Sequence, residues 1–405
     1  MKVVQLNCTY GNQDSTGRNV MELHRYFLNL GIDSHVFASV IHENESNETV
    51  HLFSSKLDRN VHAVCSRIFG RQGFFSVYST WKLIKNLKDI CPDVVLLHVL
   101  HSNCINFPML FNFLSDNKVA VILVLHDCWY YTGHCCHYVE DYCTEWTRNC
   151  HKCRSLKKWN KSYFFDNASK NLLSKKQWYN SIERLAVIGV SDWITNEAKK
   201  SILKDAKIID RIYNWVDLSI FYPQSKNLIR QKYGFNFSRK ILLGVASVWS
   251  DRKGLAEMLD AAVNFEDCDV VLIGKVPESC KFPNNIHVVG EIRNPEVLAE
   301  YYAMSDVFLN PSVQETFGKT TAEALACGVP VVVYNTTACA ELVPEGCGKV
   351  VPFRNKAAYL AGVKEVLTNS AEDYTKQCRM HAVSNFSAEQ CLLHYHTVIE
   401  NVVYL

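Results

Sequence analysis

Short apolar runs alternate with longer amphipathic segments along the first half of the chain. Up to about residue 215, the runs have the length and composition of buried strands, and the segments between them have the spacing of helices. The apolar runs in this half are Val3–Leu6, Val94–Leu97, Val119–Leu125 and Leu185–Val190. Strands that alternate with helices predict a parallel sheet that is covered by helices on both faces.

The same pattern starts again after Phe221-Tyr222-Pro223 and a polar stretch that ends at Lys240. A chain of 405 residues is long for a single core, so two domains are expected. We predict two doubly wound α/β domains, residues 1–222 and 223–385, followed by a last helix within residues 386–405. The strands predicted for the second domain are Ile241–Ala246, Val270–Ile273, Ile286–Val289, Val307–Leu309 and Val329–Val333.

Composition and charge narrow the class of protein. The content of 48% apolar and 21% charged residues is that of a soluble globular protein. The formal net charge of +2 gives no general attraction for nucleic acid, which is therefore not an expected partner. No apolar run reaches the roughly 18–20 residues that span a bilayer, and the N-terminal segment lacks the apolar core of a secretory signal. We expect a cytoplasmic protein.

The segment PSVQETFGKTTAEALACGVPVVV, residues 311–333, carries the strongest candidate chemistry. Gly318 lies in a turn that opens a predicted helix, so the backbone N–H groups of residues 319–321 are available to bind an anion. Glu315 precedes that helix, and Glu323 lies about one turn inside it. Two carboxylates around a phosphate site match the layout of a nucleotide sugar, which is sugar, diphosphate and ribose. Taken alone, the pattern also fits a βα turn with solvated acids.

This segment resembles the signature of the retaining glycosyltransferases of family 4, E-T-F-G-x-x-x-x-E-A-L-A-x-G-x-P-V-V. One motif is weak evidence, but further matches follow in order along almost the whole chain. They are DSTGRN (Asp14–Asn19), PDVVLLHVLH (Pro92–His101), LHDCWYYTGHC (Leu125–Cys135), GVSDW (Gly189–Trp193), NWVD (Asn214–Asp217), DRKGL (Asp251–Leu255) and FSAEQ (Phe386–Gln390). The resemblance implies the GT-B fold, two Rossmann-like domains facing across a cleft, with the last helix returning to the first domain.

The resemblance also implies roles for individual residues. The donor phosphates are expected on Lys253 and on the helix opened by Gly318, with Glu323 on the ribose hydroxyls and Glu315 on the sugar ring. His126 is expected to position the reacting sugar rather than to act as a base. The residues assigned to catalysis are His126, Lys253 and Glu315. Those assigned to donor binding are Gly17, Ser247, Arg252, Lys253, Phe317, Gly318, Lys319, Thr320 and Glu323. Those assigned to the acceptor side are Thr16, Arg18, His98, His101 and Asp127.

This chain departs from the family pattern at two positions. Ser247 stands where similar enzymes often carry an Arg, and Arg252 is the candidate substitute. Asp14 stands where a second Gly is common, which leaves a plain helix start as the alternative for Gly17. For His98 and His101 the alternative is a buried histidine whose hydrogen bonds are satisfied within the fold.

The implied reaction moves a sugar from a UDP- or GDP-sugar to a saccharide acceptor, expected to be lipid-linked, in cell-surface polysaccharide biosynthesis such as that of lipopolysaccharide or capsule. In similar enzymes the leaving diphosphate itself takes the acceptor proton, and neither a divalent ion nor another cofactor is required. Two alternatives share this fold. One is a sugar-nucleotide epimerase, which lacks the ETFG…EALA run. The other is a non-catalytic nucleotide-sugar-binding subunit, which would lose Lys253 or Glu315.

Six of the 17 cysteines lie between residues 128 and 153. Cys150-x-x-Cys153 has the spacing of a metal knuckle, and Cys135 or Cys136 with Cys143 would complete a tetrahedral thiolate site. A similar pattern in family members favours Cys135, Cys143, Cys150 and Cys153 as ligands of a structural zinc. The alternative is a reduced cysteine-rich loop. A zinc-dependent nucleic-acid module is disfavoured by the near-neutral charge.

A basic and aromatic segment, KCRSLKKWNKSYFF, follows at residues 152–165. Its five cations and four aromatic residues fit contact with an anionic membrane surface, where a lipid-linked acceptor lies. The location would then be the inner face of the cytoplasmic membrane. The alternative is a solvated helix face.

Overall fold

The structure is a computed structural model, and it describes residues 1–42, 48–369 and 371–405. It divides into two compact units, one formed by residues 1–212 with 392–405 and the other by residues 213–391. The sequence placed this division ten residues later, at 222/223. Residues 213–222 belong to the second unit because the Tyr213 ring packs against Phe317 and Phe386, with centroids 5.8 and 5.5 Å apart. The N–H of Val216 also donates to the Phe386 carbonyl at 2.9 Å.

The first unit is built on a seven-stranded sheet in the order β3-β2-β1-β4-β5-β6-β7, with every neighbouring pair parallel. Its strands are β1 (Lys2–Tyr10), β2 (Asp33–Ile41), β3 (Val50–Leu52), β4 (Val94–Leu97), β5 (Ala120–Leu125), β6 (Leu185–Gly189) and β7 (Ile208–Arg211). Its helices are α1 (Ser15–Asn29), α2 (Lys56–Phe69), α3 (Val77–Ile90), α4 (Phe107–Asp116), α5 (Ala168–Asn180) and α6 (Asp192–Lys200).

The central strands of this sheet are buried on both faces. Every residue of β4 and β5 is buried, as expected for parallel strands that are covered by helices on both sides. The four strands predicted from apolar runs are confirmed. β2, β3 and β7 were missed because polar residues confine their apolar positions to runs of three or fewer, and all four residues of β7 are only half-buried.

The second unit has a six-stranded parallel sheet in the order β10-β9-β8-β11-β12-β13. Its strands are β8 (Lys240–Val248), β9 (Cys268–Lys275), β10 (Ile286–Gly290), β11 (Val307–Asn310), β12 (Val331–Tyr334) and β13 (Gly348–Val351). Its helices are α7 (Lys226–Tyr233), α8 (Leu255–Asn264), α9 (Pro295–Met304), α10 (Lys319–Ala326), α11 (Thr337–Glu341), α12 (Lys356–Thr368) and α13 (Ala371–Phe386). The strand order reverses between β8 and β11, and in doubly wound sheets ligands bind at the carboxyl ends of the strands at this point.

The predicted last helix is α14 (Ala388–Val403). From Leu392 onward it belongs to the first unit. The Val403 carbonyl accepts a hydrogen bond from the Arg184 guanidinium, and His394 Nε2 lies 2.8 Å from Asp210 Oδ2. Within the described ranges, none of the helices combines the length and the apolar character that crossing a bilayer demands.

Candidate functional site

Lys253 and Glu315 meet where the strand order of the second unit reverses. β8 is followed by a single 3₁₀ turn, Asp251–Lys253, and β11 is followed within five residues by Glu315. Because β8 and β11 are neighbours in the sheet, the two side chains reach each other, and Lys253 Nζ donates a hydrogen bond to Glu315 Oε1. A charged pair therefore stands at the position where such sheets bind ligands.

The carboxyl of Glu315 stays ionised in this pair. Burial alone would raise its pKa, but the charge and hydrogen bond of Lys253 hold the pKa below the ordinary value. Arg252 adds to this effect, and its Nη1 lies 3.4 Å from the Gln314 carbonyl. Arg252 therefore points toward the loop that carries Glu315. Ser247, the residue in place of the family's Arg, is exposed near the end of β8.

The backbone of Glu315 is held by α11, a contact that the sequence did not predict. The N–H of Glu315 donates to Thr337 Oγ1 at 3.1 Å, and the N–H of Ala338 donates to the Glu315 carbonyl at 3.3 Å. Thr337 has a positive φ of 46°, which is uncommon for a β-branched residue. The positive φ, together with the hydrogen bond to Glu315, identifies Thr337 as a residue that positions Glu315. This feature is visible only in the structure.

α10 begins as predicted at Gly318, which has a φ of 93° that favours glycine. The N–H groups of Lys319 and Thr320 lie in the first turn of this helix, at its positive end. The prediction for Thr321 needs correction, because its N–H donates to the Gly318 carbonyl at 2.9 Å. The Thr321 hydroxyl instead accepts a hydrogen bond from Asn310 Nδ2 at 2.9 Å, which ties α10 to the end of β11.

Glu323 lies inside the protein and is only 5% exposed. Its Oε2 accepts a hydrogen bond from the Tyr302 hydroxyl at 3.1 Å. Tyr302 is fully buried in α9, and burial together with the Glu323 carboxylate raises the pKa of its hydroxyl well above the ordinary value. Phe317 is also buried, and its ring packs against Tyr213 and Phe386, so its side chain belongs to the core.

In the first unit, His98 and His126 form a stacked pair at the ends of β4 and β5. His98 Nδ1 lies 3.1 Å from His126 Nε2, and His98 Nε2 lies 3.2 Å from Gln5 Oε1. Since an amide oxygen only accepts, His98 donates from Nε2 to Gln5 and accepts at Nδ1 from the N–H of His126. Burial, with a smaller effect of His126, holds the pKa of His98 well below its ordinary value. His98 is thus a neutral, buried residue that orients the half-buried His126.

His101 and Asp127 form an ion pair beside these two histidines. His101 Nε2 lies 2.6 Å from Asp127 Oδ2, and Asp127 Oδ1 accepts the Trp129 N–H at 2.8 Å. Burial would raise the pKa of Asp127, but His101 lowers it to about 2. Burial would likewise lower the pKa of His101, but Cys136 and Asp127 raise it well above the ordinary value.

Asp14 occupies the start of α1, where the sequence suggested a phosphate contact. Its Oδ1 accepts hydrogen bonds from the Gly17 N–H at 2.7 Å and the Thr16 hydroxyl at 2.8 Å. Arg18 reaches back to the Asn12 carbonyl at 3.2 Å. A carboxylate at this helix end repels a second anion, so this geometry favours the plain helix start as the role of Gly17.

The four-cysteine zinc site predicted in the cysteine-rich loop stays a prediction. Its thiols are free of disulfides, and they lie near enough to affect one another, since burial and then the neighbouring thiols raise the pKa of Cys135 well above its ordinary value. Among the described residues, however, the only three candidate donor atoms that lie within 4.8 Å of one another belong to His101, Asp127 and Cys136. No three of Cys135, Cys143, Cys150 and Cys153 meet at that distance.

Comparisons with known proteins agree with this architecture. Residues 239–369 match the family model "Glycosyl transferases group 1". N-acetyl-alpha-D-glucosaminyl L-malate synthase of Bacillus anthracis is 25% identical over 54% of this chain and 60% of its own length. A GDP-mannose-dependent alpha-(1-6)-phosphatidylinositol dimannoside mannosyltransferase of Mycobacterium tuberculosis is 29% identical over 42% of this chain and 47% of its own length. The chain thus spans about half the length of these curated relatives.

Similarity to solved structures covers the whole chain. The structure of Anabaena HepE in complex with UDP-glucose superimposes with a TM-score of 0.68 at 13% identity, covering 99% of this chain and all of that one. At this identity the likeness establishes the fold. The chain has the GT-B fold, which confirms the predicted fold class, and the match at residues 239–369 agrees with the family resemblance seen in the sequence.

Proposed function

We propose that this chain is a retaining glycosyltransferase that transfers a sugar from a nucleoside-diphosphate sugar to a lipid-linked saccharide. The observation that carries the proposal is the pair of Lys253 and Glu315 at the strand reversal of the second unit, beside the start of α10. This arrangement offers a cation hydrogen-bonded to a carboxylate, and that carboxylate precedes the helix-end donors by only a few residues.

The donor diphosphate would bind Lys253 and the backbone N–H groups of Lys319 and Thr320. The Lys253 ammonium and the N-terminal end of α10 both favour a negatively charged ligand. The negative charge on the leaving diphosphate grows as the glycosidic bond breaks. Interactions that strengthen as the charge develops accelerate the reaction. In the free protein Glu315 holds Lys253 in place, so the cation is already oriented before the donor arrives.

The sugar and the ribose would be held by the two carboxylates. Glu315 is fixed through its backbone by Thr337 and Ala338 and would accept hydrogen bonds from sugar hydroxyls. Glu323, fixed by Tyr302, would accept hydrogen bonds from the ribose. His126 would position the reacting sugar, with its Nε2–H committed to His98. In this scheme no side chain acts as the base, because the leaving diphosphate oxygen takes the proton of the acceptor hydroxyl.

The relatives support a nucleotide-sugar donor without fixing the base. HepE was solved with UDP-glucose, and the mycobacterial relative is named as GDP-mannose-dependent and as acting on a phosphatidylinositol dimannoside. We therefore keep both UDP- and GDP-sugars as candidate donors, and a glycolipid as the acceptor class. A non-catalytic binding subunit of the same fold remains the alternative.

An exposed apolar surface on the first unit supports a membrane-bound acceptor. One stripe of α2 carries four exposed side chains spaced for a single helix face, and α3 presents the stacked pair Tyr78 and Trp81. Phe69 stacks on Phe165, with centroids 6.3 Å apart, which joins α2 to the basic aromatic segment. We call these residues the apolar face: Leu57, Val61, Val64, Ile68, Phe69, Tyr78, Trp81, Tyr163, Phe164 and Phe165, each at least 36% exposed. Lys56, Arg67, Lys82 and Lys85 on the same two helices suit an anionic bilayer surface.

The direct test is a transfer assay with a panel of UDP- and GDP-sugars and a glycolipid extract, without added divalent ions. We expect one donor to label the lipid and the new linkage to keep the donor's anomeric configuration by NMR. Lys253→Ala should reduce transfer by about 100-fold or more, the effect of losing one transition-state charge contact. Lys232→Ala, which removes a surface ion pair with Glu300, should leave the rate unchanged. An inverted linkage would refute the retaining mechanism, and donor binding without transfer would favour the binding subunit.

A further inference from the structure

Three different ligand types converge beside the strand ends of the first unit. His101 follows β4, Asp127 follows β5, and Cys136 lies on the cysteine-rich loop, residues 128–153. His101 Nε2 lies 2.6 Å from Asp127 Oδ2, and Cys136 Sγ lies 3.7 Å from His101 Nε2 and 3.8 Å from its Nδ1. All three side chains are largely buried, with Cys136 7% exposed and the other two 15%.

We propose that His101, Asp127 and Cys136 bind a divalent transition-metal ion of the zinc type, which fastens the cysteine-rich loop to the ends of β4 and β5. Imidazole nitrogen, carboxylate oxygen and thiolate sulfur are all zinc ligands. With bonds of about 2.0–2.3 Å, tetrahedral ligand atoms lie roughly 3.2–3.8 Å apart. The 3.7 Å between Cys136 Sγ and His101 Nε2 already matches, and the three candidate ligand atoms all lie within 4.8 Å of one another. The distance between His101 and Asp127 is that of a hydrogen bond, so the ion would replace the proton that they share.

The surroundings hold each ligand in place, as metal sites require. Asp127 Oδ1 accepts the Trp129 N–H at 2.8 Å, and Asn160 Nδ2 lies 3.7 Å from Cys136 Sγ. The Trp129 ring lies against the His101 ring at 5.6 Å. These partners fix the carboxylate, the thiol and the imidazole before the ion arrives. Three protein ligands leave a fourth position for water.

This site differs from the one that the cysteine spacing suggested. The spacing left Cys135 and Cys136 both open beside Cys143, Cys150 and Cys153, and the family resemblance favoured Cys135. The structure instead brings Cys136 together with a histidine and an aspartate. Cys135 and Cys136 are buried to nearly the same extent, 6% and 7% exposed. Cys135→Ser and Cys136→Ser are therefore a matched pair of variants that distinguishes the four-cysteine ligand set from the set that contains Cys136.

The test is a titration of the purified full chain with Co²⁺, followed by the absorption bands that thiolate-to-cobalt charge transfer produces. We expect one ion per chain in the wild type, loss of the bands in Cys136→Ser, and their retention in Cys135→Ser. His101→Gln, a second variant that keeps the thiol, should weaken cobalt binding at least 10-fold. Circular dichroism and thermal unfolding would verify that each variant is folded.

Two results would overturn the proposal. If Cys135→Ser lost the bands while Cys136→Ser kept them, the four-cysteine set would be the metal site. If the folded wild type bound no cobalt, the three residues would form only an ion pair with a neighbouring thiol. Because the readout is metal binding rather than sugar transfer, failure here leaves the proposed glycosyltransferase function untouched.

Discussion

Individual residues in this protein are often committed to a neighbour that the sequence does not reveal. His98 looks like a candidate acceptor ligand in the sequence, yet in the structure both of its ring nitrogens are used, one by Gln5 and one by His126. Glu323 is likewise committed to a neighbour, because its carboxylate is buried and accepts a hydrogen bond from the Tyr302 hydroxyl. The motif located these residues, but the partners lie 93 and 21 positions away in the sequence, beyond the reach of local patterns.

Tyr302 is expected to act on the nucleotide through Glu323. In Tyr302→Phe the buried carboxylate of Glu323 loses the hydrogen bond from Tyr302, so it is less well held. Nucleoside diphosphate affinity should fall about 5- to 10-fold, in line with the roughly 1 kcal/mol that a hydrogen bond contributes. Isothermal titration calorimetry measures the change.

Tyr359→Phe is the matched control for this change. Tyr359 is buried in the same unit, and its hydroxyl donates to the Val332 carbonyl at 2.9 Å. We expect a similar loss of stability in both variants but unchanged nucleotide affinity in Tyr359→Phe. Equal affinities in all three proteins would show that Tyr302 is a plain core residue.

Among the elements, the apolar central strands were predicted, whereas the edge strands β3, β7 and β13 were not. β4 and β8 follow directly from their apolar runs, and the turn at Gly318 opens α10 as the motif implies. β13, with the sequence GKVV, has only one buried residue and is defined by its pairing with β12. Thr337 could not be found either, because its contact with Glu315 depends on the packing of α11.

α2 carries a histidine that should make the first unit sensitive to acid. His62 Nε2 accepts the Gly73 N–H at 3.2 Å and Nδ1 lies 2.7 Å from Ser76 Oγ, so the folded state requires the neutral ring. Burial lowers its pKa from 6.5 to about 4. The unfolded chain therefore takes up a proton first as the pH falls, and the free energy of unfolding should decrease between about pH 6.5 and pH 4.

Urea unfolding at pH 7.5 and pH 5 measures this effect. Between these values His62 should account for a loss of roughly 1–2 kcal/mol in unfolding free energy, and His62→Gln should remove that part of the pH dependence. The exposed His151 provides the control, since His151→Gln should leave the pH dependence as in the wild type. If the unfolding free energy of His62→Gln depended on pH as strongly as that of the wild type, the assignment of this effect to His62 would be wrong. His24, whose pKa burial also lowers to about 4, contributes the same background in every variant.

For the whole molecule, the sequence predicted the division into two parallel-sheet units and the GT-B fold, because buried strands and ordered motifs are local features. It identified only one part of the apolar face, the segment at residues 152–165. The stripe on α2 joins that segment through the stacking of Phe69 on Phe165 and a hydrogen bond from the Tyr163 N–H to the Arg67 carbonyl at 2.9 Å. Contacts of this kind, between residues about 96 positions apart, appear only in the folded chain.

The apolar face should bind anionic membranes. We expect the protein to sediment with vesicles that contain anionic phospholipid and to remain in solution with purely zwitterionic ones, because cations flank the apolar side chains. Val64→Asp combined with Phe164→Asp should weaken vesicle binding at least 10-fold, since two exposed side chains would no longer enter the interface. Leu228→Asp, at an exposed apolar position on α7 in the other unit, is the matched control. Equal sedimentation of all variants would argue against this surface.

The proposed function depends on nucleoside diphosphate binding to the second unit through Lys253. The measurement that tests it most directly is a calorimetric titration of UDP and GDP into the wild type, Lys253→Ala and the control Lys232→Ala. We expect one of the two nucleotides to bind the wild type and Lys232→Ala with equal affinity, and Lys253→Ala to bind it at least 10-fold more weakly. If neither nucleotide bound the folded wild type, or if Lys253→Ala bound as tightly as the wild type, the proposed donor site would be wrong.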